Sequence, residues 1–420
     1  MILFLKLALR NVFRYRKRTV ITFIAISLGL GMMAIGLSMY KGVDRQAIGN
    51  IINSQTSHIK IFARDYFQKK DKYPLEINIE GADRIIKRLK EIKNIQAAEE
   101  RILFRASIIS GMDELPCIGI GLDPKNSEPV FNIPSSLKEG QFLSPDDRKI
   151  LIGRGLAADL NLKVGDMCVI RMFSSTEEFA WNAYDLEIKG IVQTENPQVN
   201  IQTIFIPLQL AREGLSLEGK STEIAIRLTD RNALSRAKKE IKDSIKEYLE
   251  GGLEVLSFEE LASDFIQMTQ FRRRIQAIFP FIMLLIATLG IINTMLMAVM
   301  ERYKEIGMLS AMGMRKKEIL GLFLLEGVYI GFMGSLTGCL LGGLGGLYLE
   351  KNGWNLGGLG SEISNVIASV YPIKDVFYAD MTCGILFFTL IFGTFVSVLS
   401  SLYPAYRAVQ INPVKALRHI

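Results

Sequence analysis

The stretch IQAIFPFIMLLIATLGIINTMLMAVM, residues 275–300, decides the class of this protein, because it contains no acidic, basic or histidine side chain. Crossing a hydrocarbon core of about 30 Å takes roughly 20 predominantly apolar residues in a helix. The conformation must be helical, since lipid offers no partner to an open backbone amide or carbonyl. The stretch therefore predicts a transmembrane span. Working outward, Thr19–Tyr40 and Met381–Tyr406 are equally free of charge, and Ile319–Leu349 carries one acid, Glu326. The expectation is four spans, with the charged residues of a chain that is 49% hydrophobic gathered between them.

The first span is read as an uncleaved anchor. Its basic lead-in is long, its apolar run exceeds the about 7–15 residues of a signal core, and no clear A-x-A site follows. Orientation is read from Lys and Arg near the span ends. The N-terminal flank holds Lys6, Arg10, Arg14, Arg16, Lys17 and Arg18. The segment between spans 2 and 3 holds Arg302, Lys304, Arg315, Lys316 and Lys317, and the C-terminus holds Arg407, Lys415 and Arg418. Between spans 3 and 4 there are only Lys351 and Lys374. Both termini and residues 301–317 are thus expected in the cytoplasm, with 41–271 and 350–380 outside. Arg272, Arg273 and Arg274 oppose this, but they end a long translocated domain, where the rule is weak. The net charge of +7 reflects this orientation, so no nucleic-acid partner is expected.

The resulting organisation runs as follows. Residues 1–18 form a cytoplasmic interfacial helix with Lys6, Arg10, Arg14 and Arg18 on one face. Residues 19–50 are the first span and its extension, 51–257 an extracytoplasmic α+β domain, and 258–300 a lever helix running without a clear break into the second span. Then come 301–317 in the cytoplasm, the third span at 318–349, an external loop at 350–380, the fourth span at 381–406 and a tail at 407–420. The fold class is thus membrane α-helical, with a two-lobed α+β domain inserted between helices 1 and 2. In that domain His58–Phe62, Ile102–Ile109, Leu115–Leu122, Met167–Met172, Leu186–Gln193, Ile201–Ile206 and Glu223–Leu228 read as strands. Ala82–Ile92, Gly153–Leu160, Pro207–Glu213 and a strongly amphipathic Asn232–Leu249 read as helices. Pro280 is placed to kink the second span. Cys117 and Cys168 fall on strands and are expected to be separate buried thiols, although a disulfide is chemically open to them.

Catalytic and metal chemistry is not legible. GLSLEGKS, residues 214–221, satisfies the phosphate-loop pattern letter for letter. That pattern needs a strand before it and a helix after it, so that a helix N-terminus meets the phosphates. Here the order is reversed, and the segment reads as a turn. His58 and His419 are the two histidines, too far apart in topology to act together, and no Cys/His spacing suits a metal. In the third span Gly334, Gly338, Gly342 and Gly346 recur every four residues, leaving a bare face for close helix packing. Glu326 reads as structural, near the membrane interface or facing protein.

ERYKEIGMLSAMGMRKK, residues 301–317, is unusual for a tight turn and can form a short amphipathic helix, with Ile306 and Leu309 on its apolar side. Such a helix suits a groove on a cytoplasmic partner. In this segment Arg302, Glu305, Ile306, Gly307, Ala311, Gly313 and Arg315 match the coupling pattern of the FtsX/MacB-type ABC transporter permeases, and Glu326–Gly327 match their E-G at the start of span 3. Pro404, Ala405, Ala408, Asn412, Pro413, Ala416, Leu417 and Arg418 match their C-terminal pattern. The chain thus resembles that family along its whole length, and its large domain corresponds to the family's MacB-like core. Within the family, LSMYKG at 37–42, HIKI at 58–61, LKVGD at 162–166 and IKGI at 188–191 are similar to the lipoprotein-releasing (Lol) permease subunits.

The resemblance implies a permease subunit in the bacterial inner membrane, working with a dimer of cytoplasmic ABC ATPases and a second permease, identical or paralogous. ATP and Mg would be held by the ATPase, with no cofactor and no catalysis on this chain. In Lol permeases an inter-strand segment grips a periplasmic lipoprotein carrier or adaptor. The corresponding segment here offers Phe173, Phe179 and Trp181, without the family's usual prolines. The implied function is extrusion of a lipidated or amphiphilic substrate, above all lipoproteins. A MacB-type drug or peptide exporter, or an FtsX-like activator of an external cell-wall hydrolase, are the alternatives.

Overall fold

A computed structural model describes residues 10, 16–173, 181–355, 376–413 and 416. The chain divides into two compact units, one of residues 1–45, 268–355 and 376–420, the other of residues 46–267 and 356–375. The first is built on α1 (Arg16–Ile51), α2 (Ile278–Glu301), the short α3 (Tyr303–Ala311), α4 (Lys316–Asn352) and α5 (Cys383–Val409). Among the described residues, four helices are long and apolar enough to cross a membrane. Their outer faces agree with that use. Ile24, Leu28 and Met32 on α1, Ile282, Ile286 and Leu289 on α2, and Phe387, Ile391 and Phe395 on α5 are all exposed. Continuous apolar stripes of this size are not tolerated against water, and in hydrocarbon they cost nothing.

Residues 258–301 depart from the expected unbroken run. Turns at Ala262 and Ala277 separate Phe258–Leu261, Ser263–Gln276 and α2. Pro280 explains the second turn: it has no N–H for the Gln276 carbonyl, and its ring crowds that oxygen.

Inside the unit, the glycine row of α4 meets a row on α1 that also advances by four residues. A Cβ added to Gly334 would touch Ile26, one on Gly338 would touch Leu30, and one on Gly342 would touch Ala34. At Gly346 it would strike Met381 and Ser38. Ser27 Oγ donates to the Gly334 carbonyl at 3.1 Å and sits 2.5 Å from Thr337 Oγ1, adding polar contacts that close backbone approach permits. α4 also packs on α5, where Ser397 Oγ donates to the Gly327 carbonyl at 2.9 Å.

The second unit is an α+β domain whose order and pairing follow from its alternating strands. Here β1 is Ile59–Ala63, β2 Ile79–Glu80, β3 Ile95–Ser110, β4 Asp113–Leu122, β5 Leu137–Gly140, β6 Lys149–Gly153, β7 Met167–Phe173, β8 Trp181–Val192, β9 Thr203–Pro207, β10 Lys220–Ser221, β11 Glu223–Leu228 and β12 Leu253–Ser257. The antiparallel order β12-β1-β11-β3, with helices Ala82–Leu89 and Leu234–Ser244, is a split βαβ arrangement. Its helix-covered core contains Ile59, Ile61, Ile85, Leu89, Ile224, Ile226 and Ile241. The expected Asn232–Leu249 helix is broken into Leu234–Ser244 and Lys246–Glu250.

Between the second and third strands of that arrangement, the chain inserts a closed ring of strands. β3 continues to β4, then β9, β6, β8 and β7, which pairs back onto the far end of β3. Every second residue points inward, as period-2 strands require. Phe104, Ala106, Ile108, Ile150, Ile152, Ile170, Met172, Ile188, Ile204 and Ile206 fill the interior. Gly119 faces Phe104 across the β3–β4 ladder, and any Cβ there would lie 2.1 Å from the ring. Cys117 and Cys168 are free and buried, and burial pushes each thiol up to about 12, leaving both inert.

Residues 214–221 connect helix Leu208–Leu215 to β11 through the two-residue strand β10, with Gly219 at φ +68°. No helix follows the Lys-Ser pair, so the phosphate-loop geometry is missing.

His58 introduces a pH dependence. It is buried, its Nδ1 accepts the Leu228 N–H at 3.1 Å, and burial with Arg227 and Arg231 nearby lowers its pKa from 6.5 to about 4. The unfolded chain therefore takes up this proton first, and the contribution is present above pH 6.5 and lost as pH falls toward 4. We expect wild type to lose up to roughly 3 kcal/mol across that window relative to His58→Gln, which keeps an acceptor without titrating. Denaturant unfolding at pH 7 and pH 4.5 measures it, and equal pH slopes for the two proteins would refute it.

Candidate coupling site

The segment after α2 builds a site from charged and small residues together. Arg302 lies at the turn between α2 and α3 and is buried. Its Nη1 donates to Glu326 Oε1 on α4 at 2.8 Å, and its Nε donates to Glu305 Oε2 at 3.3 Å. Its guanidinium also lies 5.5 Å from the Phe323 ring centroid. Glu326, the one acid of the third apolar stretch, is thus the partner of a residue that closes the second. Two buried opposite charges with hydrogen bonds satisfy each other, and either alone is costly.

The rest of the inner face of α3 is apolar and small. Ile306 is buried with Val299, Ile319, Phe323, Ala405 and Ala408. Gly307 is buried against the C-terminal segment, where an added Cβ would lie 2.4 Å from Ala416 Cβ. Ala416 is itself held by its N–H donating to the Asn412 carbonyl at 2.9 Å. The helix then stops at Gly313, whose φ of +95° lies in the left-handed region that suits glycine. Arg315 caps the start of α4, its N–H donating to Glu318 Oε2 at 2.7 Å. The helical part is therefore Tyr303–Ala311, shorter than the 301–317 segment read from sequence.

The patterns at 302–315 and at Pro404, Ala405, Ala408, Asn412, Pro413 and Ala416 are distant in sequence and meet here through Gly307–Ala416 and through Ile306 with Ala405 and Ala408, while Leu417 and Arg418 lie outside the described residues. The same residues sort by exposure. Arg302, Ile306 and Gly307 point inward, Glu305 is half-buried, and Ala311, Gly313 and Arg315 are exposed together with Lys304, Met308 and Met312. Sequence reading missed the Arg302–Glu326 pair and the Phe323 wall. The signal for the pair was present: a lone acid inside an apolar stretch demands a cation.

Of the other residues singled out from sequence, Phe173 ends β7, is exposed, and pairs in register with Trp181 at the start of β8. Phe179 lies outside the described residues, as do residues 1–9 and 11–15 of the expected interfacial helix. Among the described residues no group of His, Cys, Asp or Glu is arranged to hold a metal.

Residues 277–413 match the FtsX-like permease C-terminal family, and residues 19–244 match the MacB-like periplasmic core domain. The chain belongs to the FtsX/MacB-type ABC transporter permeases, a membrane permease family. It is 23% identical to an uncharacterized ABC transporter permease of Methanocaldococcus jannaschii over 98% of this chain and 96% of that one. It is 22% identical to the lipoprotein-releasing system transmembrane protein LolC of Neisseria meningitidis serogroup B, over 96% and 94%. It is likewise 22% identical to the uncharacterized ABC transporter permease YknZ of Bacillus subtilis, over 99% and 98%.

Proposed function

We propose that this permease couples ATP hydrolysis on a separate cytoplasmic ABC ATPase dimer to extrusion of a lipidated or amphiphilic substrate, with lipoproteins as the leading class. ATP and Mg belong to the ATPase, and the chain itself carries no catalytic step. In this reading both termini and α3 lie in the cytoplasm. The α+β domain, inserted between α1 and α2, stands outside the inner membrane as two lobes, the split βαβ part and the strand ring. A second permease, identical or paralogous, completes the assembly. Phe173, Phe179 and Trp181 are the proposed contact for a periplasmic carrier or adaptor.

The observation that carries the reading is the two-sidedness of α3. Its inner face is locked to α4, α5 and the tail by Arg302, Ile306 and Gly307, so a force on α3 is passed to the spans without being absorbed by slack. Its outer face presents Met308, Ala311 and Met312 between basic residues, an apolar ridge that fits a groove of a partner. Similarity to LolC supports the lipoprotein class. A groove of about 370 Å³ between α1, α2 and α5, walled by Ile21, Ala25, Met283, Ile286 and Phe392, favours extrusion of an acyl-bearing molecule over a regulator that moves nothing.

Met312→Glu and Ala311→Glu should each weaken ATPase recruitment at least tenfold, as expected for a buried contact worth about 1–2 kcal/mol. They should leave the permease folded, because both positions are exposed. Co-purification and stimulated ATP hydrolysis are the measurements. Undiminished recruitment by both variants would remove α3 as the docking element. Crosslinking of an acyl chain in the α1–α2 groove would support extrusion, and co-purification of a cell-wall hydrolase without it would favour the activator.

A further inference from the structure

Arg272, Arg273 and Arg274 stand at the side of the membrane where few cations are expected, and the coupling site makes no use of them. Within the membrane unit, Arg273 joins a charged network on α1. Its Nε donates to Asp44 Oδ2 at 3.0 Å, and Arg272 lies 3.8 Å from the other oxygen. On the same helix, Lys41 Nζ and Arg45 Nη1 lie 3.6 Å and 3.4 Å from Asp380 Oδ2. Asp380 is fixed there by its N–H, which donates to the Ser38 carbonyl at 2.9 Å. Each aspartate is thus shared, and among the described residues Lys41, Arg45 and Arg273 have no other carboxylate partner. Three cations on two carboxylates leave one positive charge over, before Arg272 is counted. Glu350, which accepts the Met381 N–H at 3.3 Å, is offset by its neighbour Lys351. The cations are reachable: the side chains of Lys41, Arg45 and Arg273 are 46%, 73% and 61% exposed, against 12% for Asp380 and 10% for Asp44.

Lys41, Asp44 and Arg273 form the polar mouth of a cavity of about 570 Å³, floored by Leu37, Phe281, Phe388 and Phe392. Phe392 also walls the groove between α1, α2 and α5, so cavity and groove meet at that ring. Inside the groove Ile26, Leu30, Ile291 and Val396 are buried, while Ile21 and Ile286 on its rim are exposed, as a side opening to hydrocarbon requires. Residues 26 to 41 of α1 span about 22 Å at the ~1.5 Å rise of a helix, more than one leaflet's half of a roughly 30 Å core. A cationic mouth thus stands over an apolar slot long enough for an acyl chain. The phosphodiester of a phospholipid carries one negative charge, matching the surplus. Arg273 keeps Nη1 and Nη2 for its oxygens, planar donors that suit phosphate. A head group with its own ammonium would bring a cation against Lys41 and Arg45, and is disfavoured.

We propose that mouth and groove together seat one net-anionic phospholipid of the outer leaflet, its phosphate on Arg273 and Lys41 and an acyl chain running past Phe392 into the groove. The inference rests on the membrane placement in the functional reading and names the head group of the amphiphile that this groove takes. It does not depend on ATP-driven movement.

The test uses the full chain in mild detergent, equilibrated with equal amounts of dioleoyl phosphatidylglycerol and dioleoyl phosphatidylcholine, with bound lipid counted by native mass spectrometry. We expect phosphatidylglycerol to be preferred about fivefold, the attraction of one cation for an anionic lipid surface. Arg273→Gln and Lys41→Gln should each bring the preference down toward equality. Gly290→Leu narrows the groove at a place where an added carbon meets nothing within 4 Å, and should lower binding of both lipids. Glycerol 3-phosphate carries the head without the chains and should not displace the lipid. A phosphatidylglycerol with a photoreactive acyl chain should label the helices around Phe392. Equal binding of the two lipids, displacement by glycerol 3-phosphate, labelling confined to other segments, or unchanged binding in Gly290→Leu would each overturn the proposal. So would an unchanged preference in the folded charge variants; if Arg273→Gln does not fold, Lys41→Gln, which leaves Asp380 with Arg45, decides alone. Equal binding of both lipids with labelling kept in the groove removes the head-group assignment and leaves extrusion standing. Lost ATPase coupling alone removes extrusion and leaves this site.

Discussion

Gly342→Val is expected to prevent the membrane unit from assembling. A Cβ at Gly342 would lie 2.8 Å from both Ala34 Cβ and the Gly31 carbonyl oxygen, and 3.1 Å from Gly31 Cα. The obstacles are mainly backbone, so no rotamer change relieves them, and α1 and α4 must separate along their length. Separation would also draw Ser27 away from the Gly334 carbonyl and from Thr337. Overpacking in a close-packed interior costs about 1–3 kcal/mol when side chains can yield. Against backbone we expect the upper end or beyond, read as loss of monodisperse protein in detergent and a large fall in Tm. Gly321→Ala is the control on the same helix, because nothing lies within 4 Å of the added carbon. It should leave Tm unchanged or slightly raised. A Gly342→Val protein as stable as Gly321→Ala would mean that the two helices do not approach along this row.

The Arg302–Glu326 pair gives the second large effect. Arg302→Met removes the guanidinium from Glu326, and Glu326→Leu leaves Arg302 with Glu305, which is half exposed. Breaking one side of a buried pair costs about 3–5 kcal/mol, because a charge is left in a site that no longer compensates it. Replacing both sides by apolar groups of similar volume is often close to neutral. The expected pattern is therefore two strongly destabilised single variants and a double variant, Arg302→Met with Glu326→Leu, that recovers most of the loss. ATP hydrolysis stimulated by the permease should follow the same order. Additive losses in the double variant would show that the two residues act separately.

These two sites show how far the local reading reaches. The glycine spacing and the isolated acid were visible in the chain, and each carried a physical demand, one for close approach and one for a cation. What answered each demand was not visible. Ala34 is hundreds of residues from Gly342, and Arg302 reads locally as one more basic residue of a membrane flank. The strands were similarly legible from alternation, while Lys149–Gly153 and Leu253–Ser257 went unread because short strands carry little periodic signal. The Asn232–Leu249 helix was overdrawn because its apolar spacing continues through Ile245, where the backbone breaks.

Taken alone, the order of residues determined four apolar spans, an α+β domain between charged boundaries, and the motifs shared with the FtsX/MacB-type permeases. Those follow from local rules: lipid admits no unsatisfied backbone, and alternation or fourfold spacing names the face to be buried. Only the tertiary structure decided that β3 runs through both the split βαβ part and the strand ring of one continuous sheet, that Gly307 closes on Ala416, and that Lys60, Glu223, Glu99 and Arg101 share one buried face. A pattern along the chain states which side of an element must be covered. The partner that covers it is chosen by packing between segments far apart in sequence, where shape and charge are matched only after the chain has folded.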